Sequence, residues 1–170
     1  MTPTGRTERG FTLVEILIVV IILGILAAIA LPKFSNASSA ARASMLADDL
    51  RSLRSQMTVF KCHHNDIPPG CTSMTSNPTE VLIIDHLTLS SNETGATAVP
   101  GTAGYRFGPY MREIPVNPIN DKRSMKIVNN GLALPGSGDD STGWIYQADT
   151  MTLKSNAAGS DENGKSYIDY

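Results

Sequence analysis

A chain of 170 residues is long enough for one domain with an appendage. Its net charge of -2 argues against nucleic acid as the main partner, because phosphate binding needs a basic face. With 6% aromatic residues, 14 glycines and 10 prolines, most of the prolines beyond Phe60, the second part of the chain should be turn-rich around a thin core.

Residues 1–10 read as a targeting leader. Arg6 and Arg9 precede an apolar run and would hold that end in the cytoplasm. From residue 11 to residue 31 only Thr12, Glu15 and Gly24 interrupt the hydrophobic side chains. Roughly 20 apolar residues suffice to cross a bilayer as a helix, but a carboxylate at the centre of a span costs roughly 2.5–3.5 kcal/mol on insertion scales. Two processing schemes compete. Cleavage after Ala28-Ile29-Ala30 would remove the run as an ordinary signal peptide and release a secreted domain beginning at Leu31. Cleavage after Gly10 would keep the run as an anchor. Glu15 breaks the uninterrupted apolar core that the first scheme requires.

The stretch Gly10-Phe11-Thr12-Leu13-Val14-Glu15, with the apolar run behind it, resembles the leader of type IV prepilins and type II secretion pseudopilins. That resemblance implies that a prepilin peptidase cuts between Gly10 and Phe11 and methylates the new amino terminus at Phe11. Glycine before the cut offers an unhindered backbone. The resemblance further implies that Glu15 of one subunit meets the α-amino group of its neighbour. A buried carboxylate left alone is costly, and one paired with an amine much less so. Pro32 falls where the family often carries a helix-kinking proline. Glu15 and Pro32 are thus the expected assembly residues, and 11–34 the expected transmembrane and filament-core helix.

The globular head is expected over 35–170. Ala43, Leu46, Leu50, Leu53, Met57 and Phe60 alternate by three and four, which puts them on one stripe of an amphipathic helix over 35–60. The stretch 61–71 should end that helix, since Asn65, Asp66, two prolines and Gly70 are turn residues. If the head lies outside the cytoplasm, a Cys62–Cys71 disulfide is the simplest use of the two cysteines. Free thiols or a metal site with His63 and His64 are the alternatives. Asn77-Pro78-Thr79-Glu80 predicts a helix start, with Asn77 as N-cap and Pro78 at the first helical position. That short helix should bury Val81, Leu82, Ile84 and Leu87 and leave His86 at the surface or capped. The remainder up to residue 104 reads as loop.

The segment 105–170 should hold an irregular piece and an antiparallel sheet. Gly108-Pro109-Tyr110-Met111 and Ile114-Pro115-Val116-Asn117-Pro118 space their prolines so as to forbid a regular helix or central strand. This segment also resembles one found in relatives of the major pseudopilin. Strands are expected over 124–128, 144–148 and 151–154, with an edge strand over 167–170. The fold class is therefore α+β: a long N-terminal helix packed on a small C-terminal antiparallel sheet, pilin-like.

The resemblance raises a calcium ion in a C-terminal loop, with Asp139, Asp140 and Asp161 as the candidate ligands, against the alternative that these are solvated acidic turns; no cofactor is required. No catalytic constellation stands out: no serine sits in a nucleophile elbow and no glycine-rich phosphate loop follows a strand. The resulting expectation is a non-enzymatic subunit of a type II secretion-like pseudopilus. Its partners would be copies of itself, other pseudopilins, prepilin peptidase and an inner-membrane assembly platform. The anchor would cross the bacterial inner membrane once, amino terminus in the cytoplasm and head in the periplasm. A type IV pilin serving adhesion, motility or DNA uptake is the alternative.

Overall fold

A computed structural model describes residues 10–170, with no account of the side chains of residues 30–36. The expected leader, apart from Gly10, and the side chain of Pro32 therefore lie outside the described residues. The described residues divide into two compact units, one ending at Ser38 and the other Ser39–Tyr170.

In the first unit, helix α1 (Leu13–His63) begins at Leu13 and remains helical through Pro32. The side chains from Leu13 to Ile29 are all exposed, with the large apolar ones between 48% and 82% accessible. A helix that is apolar all round and covered by no other described residue needs a sheath from elsewhere. Among the described residues no helix is long and apolar enough to cross a membrane.

The second unit is built around the rest of α1. Ala43, Leu46, Leu50, Leu53, Met57 and Phe60 are all buried, as the three-four spacing predicts. The helix runs three residues further than expected, to His63. Against its stripe pack Ile83 and Leu87 of α2 (Glu80–Thr88), Ile114 of the proline-rich segment, and Met125, Trp144, Tyr146 and Leu153 of the sheet. Two sheets accompany this core. A minimal antiparallel ladder joins β1 (Ser90–Ser91) to β2 (Thr97–Ala98) inside the segment expected to be loop.

The main sheet has the order β3 (Met125–Val128), β4 (Trp144–Gln147), β5 (Thr152–Ser155). It is mixed, which corrects the antiparallel expectation: β3 pairs parallel to β4 and only β4–β5 is an antiparallel hairpin. Parallel neighbours need a crossover of a dozen or more residues, and residues 129–143 supply one. β4 is buried on both faces. Trp144 and Tyr146 point into the α1 core, whereas Ile145 joins Val128 and Ile168 in a second, smaller cluster. The expected edge strand at the C-terminus is instead a 3-10 turn, Tyr167–Asp169, whose Tyr167 and Ile168 cover that region. Two aromatic residues around an isoleucine suit either structure, so local pattern did not discriminate.

Two polar side chains tie this arrangement together. Arg54 lies off the apolar stripe and half in the interior. Its guanidinium donates to the carbonyl of Leu153 at 2.7 and 3.2 Å and to that of Tyr170 at 3.2 Å, linking α1 to β5 and the last turn. Asn117, fully buried, donates to the Gly143 carbonyl at 2.7 Å and the Ser155 hydroxyl at 2.9 Å. The proline-rich segment is thereby pinned to the sheet, and Trp144 Nε1 donates to the Pro115 carbonyl at 3.0 Å.

Helix α2 starts later than its sequence suggests. Thr79, not Asn77, is the N-cap, its hydroxyl accepting from Leu82 N at 3.4 Å. Its core face is Ile83, His86 and Leu87, whereas Val81 is exposed. In an apolar run such as Val81-Leu82-Ile83-Ile84 several faces look alike, and only the docking against Gly70 and Phe60 selects one.

Candidate assembly and processing site

The N-terminal motif takes a definite local form. Gly10 and Phe11 precede the helix, and Phe11 is 78% exposed. A side chain added at Gly10 would meet nothing within 4 Å, so the backbone there is open to an enzyme. Thr12 is the residue before α1 and Glu15 stands three positions later. The Thr12 hydroxyl accepts from Glu15 N at 3.2 Å, while a Glu15 carboxylate oxygen reaches back to accept from Thr12 N at 3.4 Å. This is a reciprocal capping box, which satisfies two otherwise orphaned donors and sets a negative charge at the positive end of the helix dipole. The Thr-x-x-Glu spacing ahead of an apolar run could have revealed it; sequence reasoning here had given Glu15 only a partner on another subunit. The bond to Thr12 N is long, and the exposed carboxylate has room for a stronger partner.

The expected disulfide is absent. Cys62 is exposed on the last turn of α1, whereas Cys71 is buried and its thiol donates to the Ser76 carbonyl at 3.2 Å. The reason is helical phase. Phe60 and His64 hold the core-facing side at the end of α1, and Cys62, two residues from each, is turned about 200° away. Neither do the histidines form a reactive cluster. His63 Nδ1 bonds the Tyr110 hydroxyl at 3.0 Å. His64 is fully buried, with Nδ1 at 2.7 Å from the Phe60 carbonyl and Nε2 at 3.0 Å from the Ser91 hydroxyl.

His86, expected near the surface, is buried and accepts the Gly70 N–H at Nδ1, 3.0 Å away. The Phe60 ring is sandwiched between the two imidazoles, with ring centroids 3.9 Å from His64 and 4.5 Å from His86. Burial, reinforced by the neighbouring His64, pushes the His86 pKa down to about 4, and burial lowers that of His64 too. These are core histidines held neutral.

The candidate calcium ligands divide between two turns. One Asp139 oxygen accepts from Ser141 N at 2.9 Å, the Ser141 hydroxyl at 2.6 Å and Asn156 Nδ2 at 2.7 Å. The other lies 2.6 Å from the ammonium of Lys126. Asp140 Oδ1 accepts from Ala158 N at 2.9 Å and Asn120 Nδ2 at 3.3 Å, and its carbonyl accepts from Lys122 Nζ. Asp161 Oδ1 caps its own turn through Asn163 N and Lys165 N, and Oδ2 accepts from the Tyr170 hydroxyl. The Lys126 ammonium first, then the Ser141 and Asn156 donors, hold the Asp139 carboxyl well below the usual carboxylate range. Among the described residues no group of three or more His, Cys, Asp or Glu side chains is placed to hold a metal ion. Calcium wants six to eight converging oxygens; here the oxygens are engaged by protein donors and two ammonium groups already supply positive charge. This donor set does not fit calcium.

Comparison with known proteins shows what the chain is similar to. Residues 5–31 match the prokaryotic N-terminal methylation motif. Over 151 residues the chain is 27% identical to the type II secretion system core protein G of Pectobacterium carotovorum subsp. carotovorum, covering 83% of this chain and 87% of that one. The chain is similar to type II secretion core protein G through most of its length. The core protein G of Aeromonas hydrophila is likewise 27% identical over 123 residues, 71% of this chain and 73% of the relative. A fimbrial protein of Neisseria meningitidis is 36% identical over 66 residues, 39% of each chain. No solved structure matches the chain significantly. The long α1 with a small sheet packed on its second half is an α+β arrangement consistent with a pilin-like fold; the matched motif covers the capping box and the exposed apolar run.

Proposed function

We propose that this protein is a structural subunit of a type II secretion-like pseudopilus. The observation that carries the reading is the joint occurrence of a methylation motif at 5–31 and similarity to core protein G that extends over most of both chains. A motif alone would fit any prepilin-processed protein; the similarity through the head narrows the class.

In this reading prepilin peptidase cuts between Gly10 and Phe11, and Phe11 becomes the methylated N-terminus. The apolar helix then anchors in the inner membrane, with the head in the periplasm. On polymerisation, with copies of itself and other pseudopilins, it passes from lipid into a bundle of like helices. The all-round exposure of the apolar side chains up to Ile29 supports this, because such a helix must be sheathed by lipid or by neighbours. The cleaved chain carries an α-ammonium at Phe11. Glu15, weakly engaged with Thr12 N in the single chain, transfers its carboxylate to the ammonium of a neighbour and so sets the register of assembly.

Mass spectrometry of the mature chain tests the processing step: methylated Phe11 at the N-terminus is expected, and a chain beginning at Leu31 would overturn it. The partial match to a fimbrial protein supports a second reading, a type IV pilin. Deleting the gene separates the two: loss of secreted proteins with surface pili intact supports the pseudopilus, and the reverse supports the pilus.

A further inference from the structure

The crossover 129–143 between the parallel strands is the longest connection in the sheet, and its last part is seated tightly. A side chain at Gly138 would collide with the backbone of Ala157, and one at Gly143 with the carbonyl of Lys122. Asn156, fully buried, lies beneath: its amide reaches Asp139 Oδ1 at 2.7 Å, Thr142 Oγ1 at 2.8 Å and Ser141 Oγ at 3.1 Å, and its carbonyl accepts from Asp140 N at 2.9 Å. Asp140 adopts the left-handed backbone region, with φ 55°. The turn brings together the carboxylates of Asp139 and Asp140, and the Asp140 carbonyl accepts from a lysine. Lys126, projecting from β3, sets its ammonium 2.6 Å from Asp139, and Lys122 caps the Asp140 carbonyl. Asn120 adds bonds to the Thr142 carbonyl at 2.9 Å and to Asp140 Oδ1.

We propose that Lys122 and Lys126 are built-in counter-ions for the turn at 138–142, so that the head folds and holds its crossover without calcium. The charge that a divalent ion would supply comes from two side chains on the β3 side of the crossover, and it cannot be withdrawn by a chelator. The inference goes beyond the filament reading, and its readout, the fold of the head, does not depend on whether the chain assembles.

The test is thermal unfolding of the full chain in detergent micelles, followed by the fluorescence of Trp144. This is the chain's single tryptophan, buried at the start of the strand that the crossover feeds. The melting temperature should be the same in chelator and in millimolar calcium. Lys122→Met with Lys126→Met should lower it by roughly 2–4 °C or more in both conditions, scaling from the shift expected per unit of lost stability in a chain of this size. Should the double variant fail to fold, Lys126→Gln should still show a smaller loss, and Lys126→Arg, which keeps the charge, should not. A wild-type melting temperature that rises with calcium, or lysine variants that melt with the wild type, would overturn the proposal.

Discussion

Acidification should loosen the head before the depressed carboxyls of Asp139 and Asp161 titrate, and His86 is the reason. Its pKa lies near 6.5 in an unfolded chain and about 4 in the fold. A folded pKa below the unfolded one means that the unfolded state binds the proton more readily between those values. The contribution of neutral His86 is therefore complete above pH 6.5 and is lost as the pH falls toward 4. At pH 5 the difference in proton binding costs about 2 kcal/mol, from 1.36 kcal/mol per pKa unit. Buried His64, lowered in the same direction, adds to the loss. The geometry explains why the fold resists the proton: His86 Nδ1 already accepts from Gly70 N, and a proton there would turn that bond into a clash of donors. His64 faces it across the Phe60 ring, and Asp85 is the nearby carboxylate that partly offsets the shift.

The assay is thermal unfolding between pH 7.5 and 5, where the depressed carboxyls of Asp139 and Asp161 stay ionised. A 2 kcal/mol loss corresponds to a fall of about 4–8 °C for a chain of this size. His86→Gln removes the titrating group and should flatten much of the slope while lowering stability at neutral pH. A wild-type profile that is level across this window, or one that His86→Gln leaves as steep, would refute the reasoning.

Other expected outcomes follow from single contacts. Glu15→Ala should leave processing intact, as read by the mass of the mature chain, yet abolish filaments in electron micrographs; normal filaments would remove the proposed pairing. Leu50→Ala, at a fully buried position on the α1 stripe, should cost about 2.7–5 kcal/mol in a melting experiment. Val81→Ala, on the exposed face of α2, should stay within about 0.5 kcal/mol. Because the thiols of Cys62 and Cys71 are not joined, a reductant should leave the melting temperature unchanged, whereas loss of a bridge closing so short a loop would cost on the order of 2–3 kcal/mol. Asn117→Ala removes its bonds to the Gly143 carbonyl and the Ser155 hydroxyl, which keep Asn156 N and Ala157 N as partners, and should cost about 0.5–1.5 kcal/mol, measurable as an earlier loss of Trp144 burial.

The long amphipathic helix was legible from sequence because its information is local. A three-four alternation kept over five intervals from Ala43 to Phe60 leaves one face to bury, and all six side chains are buried. The strands β3, β4 and β5 were likewise expected to within a residue or so. The N-terminal motif was legible as well, since it is a short linear stretch of chain, and residues 5–31 match it. What chain pattern could not decide was which surfaces meet. The parallel pairing of β3 with β4 depends on where a long crossover lands, and strands of four residues carry no direction in their pattern. The face of α2, the burial of His86 and the divergence of Cys62 from Cys71 each follow from how one element is rotated against another. The counter-charge at Asp139 comes from a lysine thirteen residues away, across a turn whose closure only packing determines. Sequence by itself determined the long helix, the three main strands and the N-terminal motif; tertiary contacts decided register, rotation and which charges meet, because those depend on residues distant in the chain.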